Sequence, residues 1–286
     1  MDYYCVFSDY VSTNNLNSEN VVNFITNTGF VNFYNEITKL CLGQYPKFDK
    51  NKSKTTSSLV YVPDVAKEKL IQHMDILYVA NLYVGVIISG NLKFNYPNYE
   101  VFLKNLINLR NELKIKNKKT RDEKDMVVIL LIKTYINTVY GMLDNPQSVV
   151  SSKLENPREY VVETAKNIIL AVVSFLLNKS IPVYYIDCDE IYIPKLTTQL
   201  IKDLKNNFKK ECGSIIDTSI SSVIIDDEIT NKSAYIIDKK KMIVYDDNKC
   251  TTTGLTLIDD EKVLIQNKKF FGRNHAELFP EYTLWA

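Results

Sequence analysis

The helical segments of this chain are followed by short β-runs joined by turns, and they do not alternate with strands one to one. Residues 100–118 and 124–142 carry the clearest helical periodicity, and the charged link between them predicts an antiparallel helical hairpin. A third helix is predicted over residues 157–178, and it leads directly into β-runs at residues 183–186 and 191–193. Helices interleaved with β-hairpins are typical of the α+β class.

Further β-like runs flank this region. One covers residues 59–62 and is followed by a stretch, from residue 66 to about residue 83, whose pattern is compatible with a helix. Three more are predicted at residues 222–225, 234–237 and 242–245. These runs belong to the same pattern of helices interleaved with hairpins, which favours the α+β class.

Composition excludes several classes of protein. Hydrophobic residues make up 45% of the 286 residues and charged residues 24%, which rules out wholesale disorder and a coiled coil. The net charge is only +1, so any basic surface that binds nucleic acid must be local. The five cysteines form no C-x-x-C pair and only two histidines are present, so we expect no structural zinc, no disulfide framework and a reducing intracellular compartment.

No membrane segment is predicted. The longest apolar run, Ile168 to Leu177, has about half of the roughly 20 residues that span a bilayer. The first ten residues, MDYYCVFSDY, lack the basic and then apolar pattern of a signal peptide. We therefore expect an intracellular, soluble protein.

The strongest candidate site is the segment YYIDCDEIYI, residues 184–193. It places Asp187 and Asp189 at a tight turn between two strands, with no Lys or Arg nearby in sequence. Two such carboxylates repel each other unless a cation lies between them, and hard oxygen ligands suit Mg²⁺. The alternative interpretation is that the acidic residues only make a polar hairpin turn.

The helical hairpin carries a second candidate site. Arg110 and Lys114 are four residues apart and share a helix face, as do Lys133, Asn137 and Tyr140 on the next helix. Facing cations would form a pocket for several phosphate charges, and Gly141 would let a bulky ligand approach the backbone. The alternative is a solvated charged face beside an apolar core.

Together these motifs resemble those of family B DNA polymerases. The run Lys133-Thr-Tyr-Ile-Asn137-Thr-Val-Tyr140-Gly141 is similar to the K-x-x-x-N-S-x-Y-G motif of the fingers, with Thr138 in place of Ser. The run Tyr185-Ile-Asp187-Cys-Asp189 is similar to the palm motif Y-x-D-T-D-S, with Cys188 for Thr and Glu190 for Ser. Lys239, Lys240 and Lys241, followed by Met242, resemble the K-K-R-Y strand of the family. The resemblance covers roughly residues 60 to 257.

The resemblance implies a polymerase-like palm with a fingers subdomain, and it implies roles for these residues. Asp187 and Asp189 would be catalytic and would bind two Mg²⁺ ions. The incoming dNTP would contact five residues of the fingers: Arg110, Lys114, Lys133, Asn137 and Tyr140. The DNA primer-template would contact Gly141, Lys239, Lys240 and Lys241. In two-metal phosphoryl transfer, carboxylates hold the ions and basic residues offset charge on the pyrophosphate.

The family's first motif, D-x-x-S-L-Y-P, has no close copy here. Asp64 is the preferred candidate for its catalytic, metal-binding aspartate because it ends a β-run. If residues 78–84 are aligned with this first motif instead, Tyr78 occupies the position of its aspartate. Asp75 is a third option. We predict that Asp64 or Asp75 faces the pair at residues 187 and 189 from a neighbouring strand or strand end.

The predicted organisation has four parts. Residues 1–53 form an N-terminal segment, residues 54–99 and 143–258 a palm-like domain, residues 100–142 the fingers-like hairpin, and residues 259–286 a C-terminal tail. No exonuclease-like acidic motif and no thumb-length tail is found in this sequence.

Two functions follow from this organisation. The first is the palm and fingers core of a split or minimal family B-like DNA polymerase, of viral or mobile-element type, with a protein partner that supplies exonuclease and thumb functions. The second is a catalytically inactive polymerase-like subunit that binds DNA or acts as a scaffold in a replication or transcription complex. A viral protein of this kind would act in the host cytoplasm or nucleus.

Overall fold

The computed structural model describes twelve segments of the chain between residues 58 and 271. They are residues 58–64, 66–89, 92, 94, 99–143, 154, 156–225, 232–245, 250–253, 256–259, 262–265 and 268–271. The predicted N-terminal segment, residues 1–53, lies outside them. The chain forms two compact units, of which the first includes Tyr83–Glu163 and Ile215–Ile220. The second includes Ser57–Leu82, Thr164–Ser214 and the chain from Ser221 onward.

The first unit contains the predicted helical hairpin. Helix α1 covers Leu82–Ser89, α2 covers Tyr99–Thr120 and α3 covers Glu123–Met142. Asp122 caps α3, since its side chain accepts a hydrogen bond of 2.8 Å from the backbone N–H of Lys124. The prediction of two helices joined by a short charged link is confirmed.

Helix α4 covers Pro157–Asn178, as predicted, and passes from the first unit into the second. Its length and an 18-residue window of mean hydropathy 1.7 are sufficient for a membrane span, and 44% of that window is buried within the protein. The apolar residues repeat every three or four positions, and seven of them are buried: Val161, Val162, Ala165, Ile168, Ile169, Val172 and Leu176. This stripe is typical of a helix that packs against a protein core, and length with composition is weak evidence for a span.

The second unit is built on an antiparallel sheet, which confirms the α+β class. Its strands are β1 (Val60–Tyr61), β2 (Lys69–Val79), β3 (Tyr185–Asp187), β4 (Glu190–Pro194), β5 (Val223–Ile225), β6 (Lys232–Asp238), β7 (Lys241–Tyr245) and β8 (Cys250–Thr253). The spatial order is β1-β3-β4-β2-β6-β7-β8, and β5 pairs with β2 outside this path. Strands β9 (Thr256–Asp259), β10 (Lys262–Ile265) and β11 (Lys268–Phe271) form a separate sheet in the order β11-β10-β9.

Strand β2 corrects one prediction, because the stretch expected to be helical from residue 66 to about 83 is mostly strand. The register of β2 against β6 shifts between Ile71 and Met74, and His73 within this irregularity has φ 53°. Ile71, Met74 and Leu77 are consequently all buried at a spacing of three residues, which imitates a helical pattern in the sequence. Pairing with β4, β5 and β6 makes the segment a strand.

A further helix, α5 (Thr198–Cys212), lies in the second unit and was not predicted. Thr197 caps it by accepting a hydrogen bond of 3.3 Å from the backbone N–H of Leu200. Leu204, Phe208 and Cys212 form a buried stripe at four-residue spacing. The cap and the stripe are the sequence signals that could have identified this helix.

The sheet interior gives a test of the fold with a matched pair of isoleucines. Ile191 on β4 is fully buried, whereas Ile224 on β5 is 45% exposed. We expect Ile191→Ala to lower the free energy of unfolding by about 2–5 kcal/mol, because it leaves a cavity, and Ile224→Ala by less than about 1 kcal/mol. Urea denaturation of both variants would measure this. Equal losses would contradict the assignment of Ile191 to the core.

Candidate functional site

The acidic turn of the second unit joins β3 to β4. Asp187 pairs directly with Glu190 across the hairpin, so that Cys188 and Asp189 form a two-residue loop. Cys188 has φ 61°, in the left-handed region that glycine, asparagine and aspartate adopt more readily. The predicted β-hairpin with aspartates at its tip is therefore present.

Backbone hydrogen bonds hold this loop from both sides. The N–H of Val79, at the end of β2, donates to the carbonyl of Asp189 at 3.0 Å. The N–H of Cys188 donates to the carbonyl of Leu59 at 2.9 Å, next to β1. These two bonds tie the loop to the strands on either side of the hairpin and oppose a change of its conformation.

Two tyrosines share the sheet face that carries the acidic side chains of the hairpin. Tyr185 pairs with Tyr192 two positions before the Asp187 and Glu190 pair, so all four side chains lie on one face. The Tyr192 hydroxyl donates to Glu190 Oε2 at 3.0 Å, and the Tyr185 hydroxyl donates to Asp187 Oδ2 at 3.4 Å. The rings of the two tyrosines meet edge to face, with centroids 5.3 Å apart. Each carboxylate thus has its own phenolic donor.

A lysine from the β6–β7 turn also faces Asp187. The ammonium of Lys240 lies 3.9 Å from Asp187 Oδ1, and its backbone N–H donates to the Tyr185 hydroxyl at 3.0 Å. The Cys188 thiol donates to the same Oδ1 at 3.1 Å. The lysine side chain is 57% exposed, so solvent screens this ion pair, but it supplies a cation that the hairpin sequence itself lacks.

The burial of these tyrosines changes their acidity. Burial, with a smaller contribution from the charge of Asp187, raises the pKa of Tyr185 to about 12. Burial also raises the pKa of Tyr192, and the adjacent Glu190 carboxylate adds to the effect. Both phenols are therefore neutral hydrogen-bond donors at physiological pH.

Asp75 was one of two aspartates expected to face Asp187 and Asp189, and it lies elsewhere on the sheet. Tyr78 of β2 pairs with Glu190, whereas Asp75 pairs with Ile193, three positions further along the strand and about 10 Å away. Asp75 also accepts a hydrogen bond of 2.8 Å from the backbone N–H of Leu196. The prediction that Asp75 faces the acidic pair is wrong, because the strand register puts a tyrosine there.

Asp64 lies in an exposed turn between β1 and β2. In the part of the chain that the structure describes, no three His, Cys, Asp or Glu side chains lie close enough to hold a metal ion together. Metal binding by Asp187, Asp189 or Asp64 stays a prediction.

The cations of the first unit differ in exposure. Arg110 on α2 is half-buried, its Nε has no hydrogen-bond partner among the described residues, and burial lowers its pKa. Lys114 on α2 is exposed, as are Lys133 and Asn137 on α3. Lys133 and Asn137 continue a stripe that includes the exposed Met126 and Leu130. Binding of a triphosphate by the two cationic helices stays a prediction.

The Tyr-Gly end of α3 is held by an arginine that the sequence did not single out. The guanidinium of Arg158 lies 5.8 Å from the ring centroid of Tyr140, and its Nη2 donates to the carbonyl of Gly141 at 2.9 Å. The ring of Tyr83 packs against Tyr140 at 5.4 Å between centroids. A Cβ added at Gly141 would meet no atom within 4 Å, so packing does not require glycine there.

Sequence reasoning missed Glu190, Tyr192 and Arg158 as members of these sites. The sequence of residues 184–193 could have identified Glu190 and Tyr192. With a two-residue loop, the side chains at positions 185, 187, 190 and 192 all lie on the same face of the hairpin. Arg158 lies 17 residues from Gly141, and no local pattern links them. The β6–β7 lysines were identified, but their proximity to Asp187 was not.

The raised pKa of Tyr185 predicts a loss of stability at alkaline pH. A phenol whose pKa is higher in the folded protein than the ordinary value of 10.0 contributes stability below pH 10, which is lost as the pH approaches 12. Wild-type protein should therefore lose more unfolding free energy between about pH 9 and pH 11.5 than Tyr185→Phe does, by about 1 kcal/mol or more. Urea denaturation across this range would measure it, and parallel losses would contradict it.

Comparisons with known proteins give distant structural similarity, without a match to a family model or a curated sequence. No protein-family model and no curated protein sequence matches this chain. A solved structure of the family B DNA polymerase from the hyperthermophilic archaeon Pyrobaculum calidifontis superposes with a TM-score of 0.49 at 17% identity. The superposition covers 66% of this chain and 28% of that polymerase, so this chain spans well under two thirds of its length.

Proposed function

We propose that this chain is a DNA-binding subunit with a polymerase-like palm, which acts in a replication or transcription complex without a two-metal centre of its own. The observation that carries the proposal is the environment of Asp187. Lys240, Tyr185 and Cys188 all contact its carboxylate, and Tyr78 occupies the position on β2 across from Glu190. The Lys240 ammonium, which belongs to the same chain, thus offsets negative charge on Asp187 that a metal ion would otherwise neutralise.

The basis for DNA as the ligand is the sequence resemblance together with local charge. The fingers-like and palm-like motifs occur in the order found in family B DNA polymerases. Lys239 at the tip of the β6–β7 turn is exposed, as are Lys114 and Lys133 in the first unit. With a net charge of +1, these local groups rather than the overall charge of the chain would attract phosphates.

An active polymerase core is the second candidate, and one observation favours it. Three acidic residues, Asp187, Asp189 and Glu190, lie within a single four-residue turn. A carboxylate supplied by a partner chain, or by residues outside the described segments, would complete a two-metal site at this turn. The two functions differ in whether template-directed synthesis depends on Asp189.

A direct test combines primer extension with DNA binding. We expect no template-directed extension with Mg²⁺ or Mn²⁺, and a DNA affinity that removal of divalent ions changes by less than about twofold. Asp187→Asn should likewise leave DNA affinity within about twofold, whereas Lys239→Gln should weaken it several-fold because a phosphate contact is lost. Fluorescence anisotropy with a labelled primer-template measures both variants.

Extension that wild-type protein supports and Asp189→Asn abolishes would contradict this proposal and favour the active polymerase. The same assays on a complex purified with its partner protein would extend the test to the full assembly. An absence of DNA binding at low salt would contradict both functions.

The role of Lys240 as an internal counter-ion gives a separate prediction. Lys240→Met removes the ammonium 3.9 Å from Asp187, so the acidic turn should bind Mn²⁺ more tightly than in the wild type, by a few-fold. Lys239→Met changes the charge of the same turn by the same amount without an ion pair to Asp187 and is the matched control. Electron paramagnetic resonance of free Mn²⁺ measures the affinity. Equal effects of the two variants would contradict the counter-ion role.

A further inference from the structure

Helix α5 of the second unit has a basic face that no motif of the sequence singled out. Lys202, Lys205 and Lys209 are exposed and lie within an arc of about 60° on the helix surface. The buried stripe of Leu204, Phe208 and Cys212 fixes the rotation of α5 against the second unit. The three lysines are therefore held at the surface.

The acidic residues of α5 do not neutralise this face. Asp203 accepts a hydrogen bond of 2.8 Å from Gln199, and Glu211 pairs with Lys210 at 3.4 Å. Throughout the described segments, no carboxylate lies within ion-pair distance of Lys202, Lys205 or Lys209. Three like charges over about 10 Å of helix repel one another, and a bound polyanion would relieve that repulsion.

Stabilisation of the helix itself does not explain the arrangement. Cations in the last turn of a helix interact favourably with its macrodipole, which accounts for Lys209 and Lys210. Lys202 and Lys205 lie in the first two turns, where a positive charge gains nothing from the macrodipole. The macrodipole therefore does not account for their alignment with Lys209 on the exposed side of the helix.

We infer that this face of α5, defined by Lys202, Lys205 and Lys209, binds the phosphate backbone of DNA independently of sequence. The inference rests on the proposed DNA-binding function and adds a contact surface separate from the acidic hairpin and the β6–β7 turn. Lysine ammoniums act as point charges that suit phosphates, and this face has no arginine to read a base edge. Binding should therefore be salt-dependent and indifferent to base composition.

The test compares the full chain with the triple variant Lys202→Gln/Lys205→Gln/Lys209→Gln. The ligands are two short labelled DNA duplexes of different sequence, measured by fluorescence anisotropy between about 50 and 200 mM salt. We expect affinity for both duplexes to fall by about tenfold or more. The slope of log affinity against log salt should become shallower by about 2–3, because each lost phosphate contact removes about 0.9.

Two control variants separate this site from general electrostatics and from misfolding. Lys179→Gln/Lys195→Gln/Lys210→Gln removes the same charge from scattered positions of the second unit and should change affinity by less than about threefold. Replacement of the three α5 lysines by arginine should preserve binding, because the charges remain. Circular dichroism of each variant verifies that α5 and the sheet are retained.

Equal losses in the scattered and the α5 variants would overturn the inference while leaving the proposed DNA binding intact. Loss of binding to labelled polyglutamate, with DNA affinity unchanged, would also overturn it and would assign the face to an acidic protein segment. Absence of DNA binding by the wild type would overturn the proposed function and this inference together.

Discussion

The second unit depends on the pairing of β2 with three other strands. Residues 69–79 form ladders with β4, β5 and β6, and the strand is continuous across a register shift near His73. At its end, the N–H of Val79 holds the acidic loop through the carbonyl of Asp189. Because β2 fixes the register of β4, it also determines that Tyr78, and not Asp75, lies opposite Glu190. The backbone hydrogen bonds of β2 thus hold the sheet together and also determine which side chains lie beside the acidic hairpin.

Electrostatic compensation on the hairpin is distributed over residues from separate strands. Asp187 and Glu190 stand opposite each other, an arrangement that is destabilising when nothing offsets the like charges. The phenols of Tyr185 and Tyr192 each donate to one carboxylate, and the Lys240 ammonium approaches Asp187 from the β6–β7 turn. This compensation by the protein's own groups is the physical basis for proposing that the chain acts without a two-metal centre of its own. Among the described residues, no carboxylate compensates the lysine face of α5 in this way, which is why we assign it an external polyanion.

Much of the fold was accessible from local pattern. The helices at Tyr99–Thr120, Glu123–Met142 and Pro157–Asn178 follow their apolar periodicity closely, because helical hydrogen bonds are local and the buried stripe repeats along the sequence. The hairpin around Asp187 was also accessible, since two β-runs flank a short polar turn. Strand β2 was not, because the register shift near His73 spaced its buried residues like those of a helix. Helix α5 carried a cap and a stripe that were overlooked.

The sequence by itself determined the α+β class, the three long helices, the acidic hairpin and the set of charged residues available for binding. Each of these follows from neighbours within a few positions, through side-chain periodicity or turn chemistry. Only the tertiary structure decided that Tyr78 faces Glu190, that Lys240 approaches Asp187 and that Arg158 holds the end of α3. These contacts join residues that are distant in the chain, and strand register and packing bring them together. No local periodicity encodes such pairs, because their energies arise only once the sheet and the helices are assembled.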